Sequence, residues 1–302
     1  MANVSVVCFL ASYVVAFGLE LTRLFRWMSI SRAAMLLAGL AGLVAHTIYL
    51  LNRASQTGMP PLLSSTHDWM LVLAWLAIVF YLFLSAVDRD LPVGLLLLPL
   101  VLVLIGSAYW VSYLPNSVVS LNEDVVQERA IQNWAMIHVS LLVFGIAGVL
   151  LAFVLSLMYV WQHYRLKHKR TIRDGLALPS LEKLARLNWW AVIVSVPLLT
   201  LGMGVGVGLG LYLQKEAVEI SFADPVIVGH GMIWLALMGF FIWLCLKRRS
   251  TGKHVAWMTI WSFGFLLVTL IGLQVLSGEN LPFESWKTWH TEVQRTVPAM
   301  RV

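Results

Sequence analysis

The feature that most constrains this chain is an apolar run from Trp134 to Trp161 that holds one histidine, His138, about one helical turn from its start. About 20 apolar residues in a helix, at 1.5 Å per residue, cross the roughly 30 Å hydrocarbon core of a bilayer. The run therefore predicts a membrane helix. An ionisable side chain inside such a helix is costly unless it has a partner, so His138 indicates a functional site. A simple hydrogen bond to a neighbouring helix is the alternative interpretation of the same histidine.

The rest of the chain is similarly apolar, with 60% hydrophobic and 12% charged residues in a length of 302. Soluble globular proteins contain about twice as much charge. We predict an all-α, polytopic membrane helix bundle of about eight transmembrane helices. It forms a single domain over 1–302, with a polar outer tail at 277–302. The predicted spans are 3–19, 33–51, 69–87, 92–113, 134–161, 188–213, 225–246 and 255–276.

The basic residues predict the orientation of the bundle. Cytoplasmic connections accumulate Lys and Arg, and 15 of the 21 basic residues fall in the first, third, fifth and seventh connections, against 6 on the opposite face. Both termini are therefore expected on the outer, periplasmic side. The formal net charge of +6 reflects these loops and their attraction to anionic lipid, and does not indicate an acidic substrate.

This topology divides the histidines between the two sides of the membrane. Five of them are expected in the outer half of the bundle or beyond it: His46, His67, His138, His230 and His290. The other three fall in cytoplasmic loops: His163, His168 and His254. Imidazoles that converge near the outer surface could ligate haem iron axially, and nearby aromatic rings could stack on the porphyrin.

The 14 tryptophans have a simpler interpretation in most cases, because Trp and Tyr are enriched where a membrane meets water. The tryptophans at predicted span ends are expected to form such interfacial belts. They are Trp69, Trp110, Trp134, Trp161, Trp189, Trp190, Trp257 and Trp261. Trp234, inside the seventh span, is less well explained by a belt and could line a pocket.

Other kinds of site have little support in the sequence. Cys8 and Cys245 fall in different predicted spans, which excludes a C-x-x-C redox pair, and no C-x-x-C-H haem-attachment motif is present. We expect no enzyme, because neither an H-E-x-x-H motif nor a catalytic triad spacing is present. The basic stretch after Trp161 is interpreted as a cytoplasmic loop and not as a nucleic-acid site. A b-type electron-transfer cytochrome and a secondary transporter stay open as alternatives from other classes.

Three segments of the chain resemble the cytochrome c assembly protein family, which includes the CcsA, CcmC and HemX groups. AGLVAHTIYLLNR is similar to an early span with a buried histidine, here His46, and GMPPLLSSTHDWMLVLAWLAIVFYL to the proline-containing outer loop and span that follow. The third segment, WAMIHVSLLVFGIAGVLLAFVLSLMY, places His138 on the outer-face haem-ligand histidine of the family.

The chain departs from the family in its tryptophan-rich outer segment, which ordinarily ends in Trp-Asp-Pro-Lys-Glu. In SFADPVIVGHGMIW, the positions of Asp224, Pro225 and Trp234 are kept, but the neighbouring tryptophans and the Lys-Glu pair are replaced. Asp before Pro also suits a helix N-cap, which is the structural interpretation of Asp224. The Gly-Leu-His motif expected after the last span is not recognisable, so His230, which we prefer, or His290 would supply the second ligand to iron.

The resemblance implies a haem-binding protein of cytochrome c biogenesis that handles or delivers non-covalent, b-type haem at the outer face of a bacterial inner membrane. Its implied partners are haem, a cytochrome c assembly subunit, apocytochrome c and the lipid bilayer, with no nucleic acid. Regulation of tetrapyrrole synthesis, as in the HemX group, is the alternative function. Within the site, the resemblance implies iron ligation by His138 with His230, and assigns His46, His290, Asp224 and Trp234 to haem binding.

Overall fold

The computed structural model describes residues 5–25, 29–57, 60–88, 91–111, 129–167, 179–215, 225–246 and 252–278. Every regular element within these ranges is a helix, which confirms the prediction of an all-α chain. The helices are α1 (Val6–Phe25), α2 (Ser29–Thr57), α3 (Pro61–Ser64), α4 (Thr66–Val87), α5 (Gly94–Val111), α6 (Arg129–Lys167), α7 (Leu181–Lys215), α8 (Pro225–Leu246) and α9 (Gly252–Gly278).

Four helical segments in the described ranges are long and apolar enough to cross a membrane: Arg32–Thr57, His67–Val87, Ile131–Lys167 and Leu181–Leu213. They coincide with the second, third, fifth and sixth predicted spans. Three shorter apolar segments lie on the first, fourth and seventh predicted spans: Val6–Thr22, Gly94–Trp110 and Trp234–Leu246. The eighth predicted span lies within α9. The chain is thus an integral membrane protein, whereas the count of eight crossings and the outer position of both termini stay predictions.

Several helices extend beyond their predicted spans, and one short helix was not predicted. α6 begins five residues before and ends six residues after the predicted span, because polar residues at the membrane boundary continue the helix. Its last turn carries Arg165 and Lys167, whose positive charges favour a helix C-terminus. The short helix α3 occurs where only a loop was expected. Pro61 stands at its first position, which suits a residue without a backbone N–H, and the Leu63 N–H donates to the Pro60 carbonyl at 2.9 Å.

The pairing of α6 with α7 depends on small residues that let the two backbones approach closely. A Cβ added at Gly145 of α6 would lie 2.7 Å from Cγ of Leu199, and one at Gly148 would lie 2.9 Å from Cβ of Ser195. On α7, a Cβ at Gly202 would lie 2.8 Å from Cδ2 of Leu142. Each helix therefore supplies glycines that accommodate side chains of the other.

Polar contacts join the helix ends at one face of the bundle. The Arg32 guanidinium donates to the Ser85 carbonyl at 2.6 Å, which links the start of α2 to the end of α4. The Lys183 ammonium lies 2.5 Å from a carboxylate oxygen of Asp88, which links the end of α4 to the start of α7. The start of α2, the end of α4 and the start of α7 therefore lie at the same end of the bundle.

Most tryptophans assigned to interfacial belts are exposed on the protein surface. Trp134, near the start of α6, is exposed over 53% of its area, and Trp161, near the end of the same helix, over 37%. The others in this exposed group are Trp110, Trp189, Trp190, Trp257 and Trp261. Surface positions near helix ends agree with the belt interpretation. These seven of the 14 tryptophans are therefore accounted for without a cofactor.

Candidate functional site

His138 lies one quarter of the way along α6 and points at α7. Its Nδ1 atom is 2.7 Å from the backbone carbonyl oxygen of Gly202. A carbonyl oxygen can only accept a hydrogen bond, so Nδ1 carries the hydrogen and donates it. The lone pair of the neutral ring is then on Nε2. Metal-ligating histidines are commonly held in this way, with the other ring nitrogen bonded to a backbone carbonyl or a carboxylate.

Trp234 of α8 is hydrogen-bonded to α7 close to the height of Gly202. Its indole N–H donates to the Thr200 hydroxyl at 3.2 Å, and that hydroxyl donates to the Val196 carbonyl at 2.9 Å. Thr200 precedes Gly202 by two residues, which is a rise of about 3 Å along the helix. Two of the residues selected from the sequence, His138 and Trp234, are therefore anchored at one height in the bundle by adjacent parts of α7.

His46 belongs to a different helix pair. Its ring is fully buried between α1 and α2, where it stacks on Phe9 with ring centroids 4.2 Å apart. Its Nδ1 atom is 3.2 Å from the Tyr13 hydroxyl. Nε2 is buried and has no hydrogen-bond partner among the described residues. α2 packs on α1 and α4, whereas α6 packs on α7, α9 and α4, so His46 and His138 are held separately.

A buried ionic cluster joins the end of α2 to the start of α4. Asp68 is fully buried and accepts two hydrogen bonds from Arg53, from Nε and Nη2, at 3.1 Å each. Nδ1 of His67 is 2.9 Å from the same carboxylate. The Ser65 hydroxyl, as the N-cap of α4, accepts the backbone N–H of Asp68 at 3.2 Å. The cluster therefore fastens the two helices at the end of the bundle that the charge pattern assigns to the outer face.

The ionic cluster was not predicted from the sequence, although His67 was expected in the outer half of the bundle. Arg53 and Asp68 were visible as opposite charges at the two ends of one short connection. Such a pattern is compatible with pairing, but the fully buried position of the carboxylate depends on how α2 and α4 pack.

The positions of three further candidate side chains relative to His138 lie outside the described part of the chain. His230 lies within α8, and its side chain is outside the described part of the chain, as are Asp224 and His290. α8 begins at Pro225, as expected for a proline at the first helical position. The second axial ligand and the capping role of Asp224 stay predictions.

The described side chains could bind a metal ion only if a cofactor supplied most of the ligands of that ion. No group of three or more His, Cys, Asp or Glu side chains gathers around a possible ion in the described ranges. Haem brings four nitrogen ligands of its own and needs one or two axial ligands from the protein. A single imidazole with a fixed Nδ1–H and a lone pair at Nε2 meets that need, so His138 fits haem.

Comparison with known proteins gives one family match and one distant relative. Residues 63–280 match the family described as cytochrome C assembly protein. The chain is also similar to Protein HemX of Bacillus subtilis (strain 168), with 24% identity over 141 residues, which cover 47% of this chain and 49% of the relative. The alignment thus spans about half the length of the curated relative. No solved structure matches the chain.

Proposed function

We propose, from the premise that this chain belongs to the cytochrome c assembly protein family, that it binds haem in the membrane during cytochrome c biogenesis. The observation that carries the proposal is the orientation of His138. Its hydrogen bond to the Gly202 carbonyl leaves Nε2 as the atom that can ligate iron. The segment that contains His138 also lies within the matched residues.

His138 would hold haem as an axial ligand, with His230 as the preferred second ligand and His290 as the alternative. Bound haem would supply a redox-active iron whose potential depends on these axial ligands. The chain itself would orient the imidazole, bury the ring of the porphyrin among apolar side chains and limit the access of water. Trp234, anchored to Thr200 at 3.2 Å, is an aromatic candidate for stacking.

The role proposed for His46 is weaker, because its ring is covered on one face by Phe9 and tied to Tyr13. Its unpartnered Nε2 is compatible with a water molecule or a second ligand. We assign His46 to haem binding because the family has a buried histidine in this span.

The wider proposal concerns topology and partners. About eight crossings with both termini outside would place His138 near the outer face of a bacterial inner membrane. At that face the protein would hand haem to an assembly subunit or to apocytochrome c, without catalysing a reaction itself. The charge distribution between the two sets of connections supports this orientation.

A second candidate function is regulation of tetrapyrrole synthesis. It is favoured by the similarity to Protein HemX of Bacillus subtilis and by the altered tryptophan-rich segment. The two functions differ in their consequences for the cell. Deletion of the gene should lower the amount of mature cytochrome c if the protein delivers haem, and should change the amount of glutamyl-tRNA reductase if it regulates synthesis.

The absorption spectrum of the purified protein tests haem binding directly. Protein made with ample haem should show a Soret band, and His138→Ala should remove or shift it while membrane insertion is retained. His163→Ala is a matched control, because His163 lies on the same helix and stacks on Tyr159 at the other end. Wild-type protein without haem absorbance would contradict the proposal and leave His138 as an interhelical hydrogen-bonding residue.

A further inference from the structure

The surface of α7 that faces the His138 ring is formed by two glycines one helical turn apart, Gly202 and Gly206. The Gly202 carbonyl accepts the bond from Nδ1, and Gly206 lies beneath the ring. A Cβ added at Gly206 would lie 2.7 Å from Nδ1 and 3.1 Å from Nε2. All three atoms nearest to that Cβ belong to His138. The ring can therefore occupy its place only because residue 206 has no side chain.

Among the glycines of α7 at positions 202, 204, 206 and 208, this requirement is specific to Gly206. Cβ atoms added at Gly204 and Gly208 would meet nothing within 4 Å. At Gly202 the nearest atoms belong to Leu142, so that glycine serves the packing of the two helices as well as the hydrogen bond. Gly206 differs from its neighbours because the space it leaves is filled by an ionisable ring.

A backbone hydrogen bond of the helix also joins the two glycines. In an α-helix the carbonyl of residue 202 is the acceptor of the N–H of residue 206. A carbonyl oxygen has two lone pairs, so the same atom can accept both this bond and the bond from His138. The position of the acceptor is therefore fixed by the helix, and the position of the ring is fixed by the space above Gly206.

We infer that Gly206, together with the Gly202 carbonyl, is a positioning element that fixes the tautomer and orientation of the His138 imidazole and so makes Nε2 the ligating atom. The identity of the ligand as haem iron rests on the proposed function. A side chain at residue 206 would push the ring into another rotamer and away from the carbonyl. The ring hydrogen could then reside on either nitrogen, and Nε2 would no longer be held as an acceptor.

The first test compares Gly206→Ala with Gly204→Ala. Both replace glycine by alanine inside the same helix, so both gain the same helix propensity. They differ in whether the methyl group meets the His138 ring. Gly206→Ala should weaken haem binding by roughly 10- to 100-fold, the range for changes to the outer-shell partners of metal-ligating histidines. Gly204→Ala should bind haem as the wild type does. Equal binding by the two variants would overturn the inference.

The second test needs no haem and therefore separates this inference from the proposed function. Protein labelled with ¹⁵N-histidine reports which ring nitrogen carries hydrogen, and the signal missing from His138→Ala identifies His138. Wild-type and Gly204→Ala proteins should show hydrogen on Nδ1. Gly206→Ala should show a different or mixed tautomer. An unchanged tautomer in Gly206→Ala would refute the positioning role even if the haem result were as expected.

A double-mutant cycle covers the case in which Gly206→Ala folds poorly. Because the three atoms nearest to the added methyl belong to the His138 ring, the loss of stability caused by Gly206→Ala should disappear in the His138→Ala background. The unfolding midpoints of the four proteins give the coupling. A loss of equal size in both backgrounds would show that Gly206 serves general packing. If His138→Ala keeps the haem spectrum, the ligand role proposed for His138 fails, while the tautomer and the cycle still decide the positioning role of Gly206.

Discussion

Replacement of Arg53 by alanine should destabilise the fold far more than the loss of an exposed arginine. The Asp68 carboxylate is fully buried and receives two hydrogen bonds from Arg53. Without the guanidinium, the buried Asp68 carboxylate would keep its contact with His67 but lose both hydrogen bonds from Arg53. Removing one partner of a buried ion pair costs roughly 3–5 kcal/mol, because the other charge stays buried with less compensation.

The structure also predicts that the two partners are not equivalent. The Arg53 side chain is exposed over 33% of its area, so in Asp68→Ala its guanidinium can turn to water or lipid headgroups. The expected cost of that variant is about 1–3 kcal/mol. Arg186→Ala is the matched control. Its pair with Glu182 is exposed on both sides, at 69% and 82%, and such i,i+4 pairs contribute about 0.3–0.5 kcal/mol.

Denaturant titration of the detergent-solubilised protein, followed by tryptophan fluorescence, measures these differences. The expected order of destabilisation is Arg53→Ala, then Asp68→Ala, then Arg186→Ala. The double variant without both charges of the buried pair should be more stable than Arg53→Ala alone. The reasoning fails if Arg53→Ala is no more destabilising than Asp68→Ala or Arg186→Ala.

Two further predictions concern topology and the start of α8. An alkaline phosphatase reporter fused after Val302 should be active and one inserted within 162–187 inactive, because the enzyme works only on the outer side; the reverse pattern would invert the bundle. Asp224→Ala should cost about 0.5–2 kcal/mol of stability if Asp224 caps α8, whereas Asp224→Asn should keep both stability and haem, since Asn caps equally well. Loss of haem from a stable Asp224→Asn protein would instead assign the carboxylate to the cofactor.

The positions of the long helices were predictable because span length follows from the thickness of a bilayer and from uninterrupted apolar sequence. The partners of individual side chains were not predictable in the same way. His138 could be selected as an unusual residue, but its acceptor is a backbone carbonyl, and a carbonyl has no sequence signature. Gly206 was visible as one of several glycines in the sixth span. Only the packing of α6 on α7 distinguishes it from Gly204.

The α6 and α7 pair also bears on when the site forms during synthesis. The two helices are consecutive in the chain, so the contacts between them need no later segment. His138 and its acceptor both belong to this hairpin, which is complete at Lys215. At translation rates of about 5–20 residues per second, the 63 residues from Lys215 to the end of α9 at Gly278 require roughly 3–13 s. The imidazole can thus be oriented while the ribosome is still producing α8 and α9, before α8 supplies Trp234 and the proposed second ligand His230.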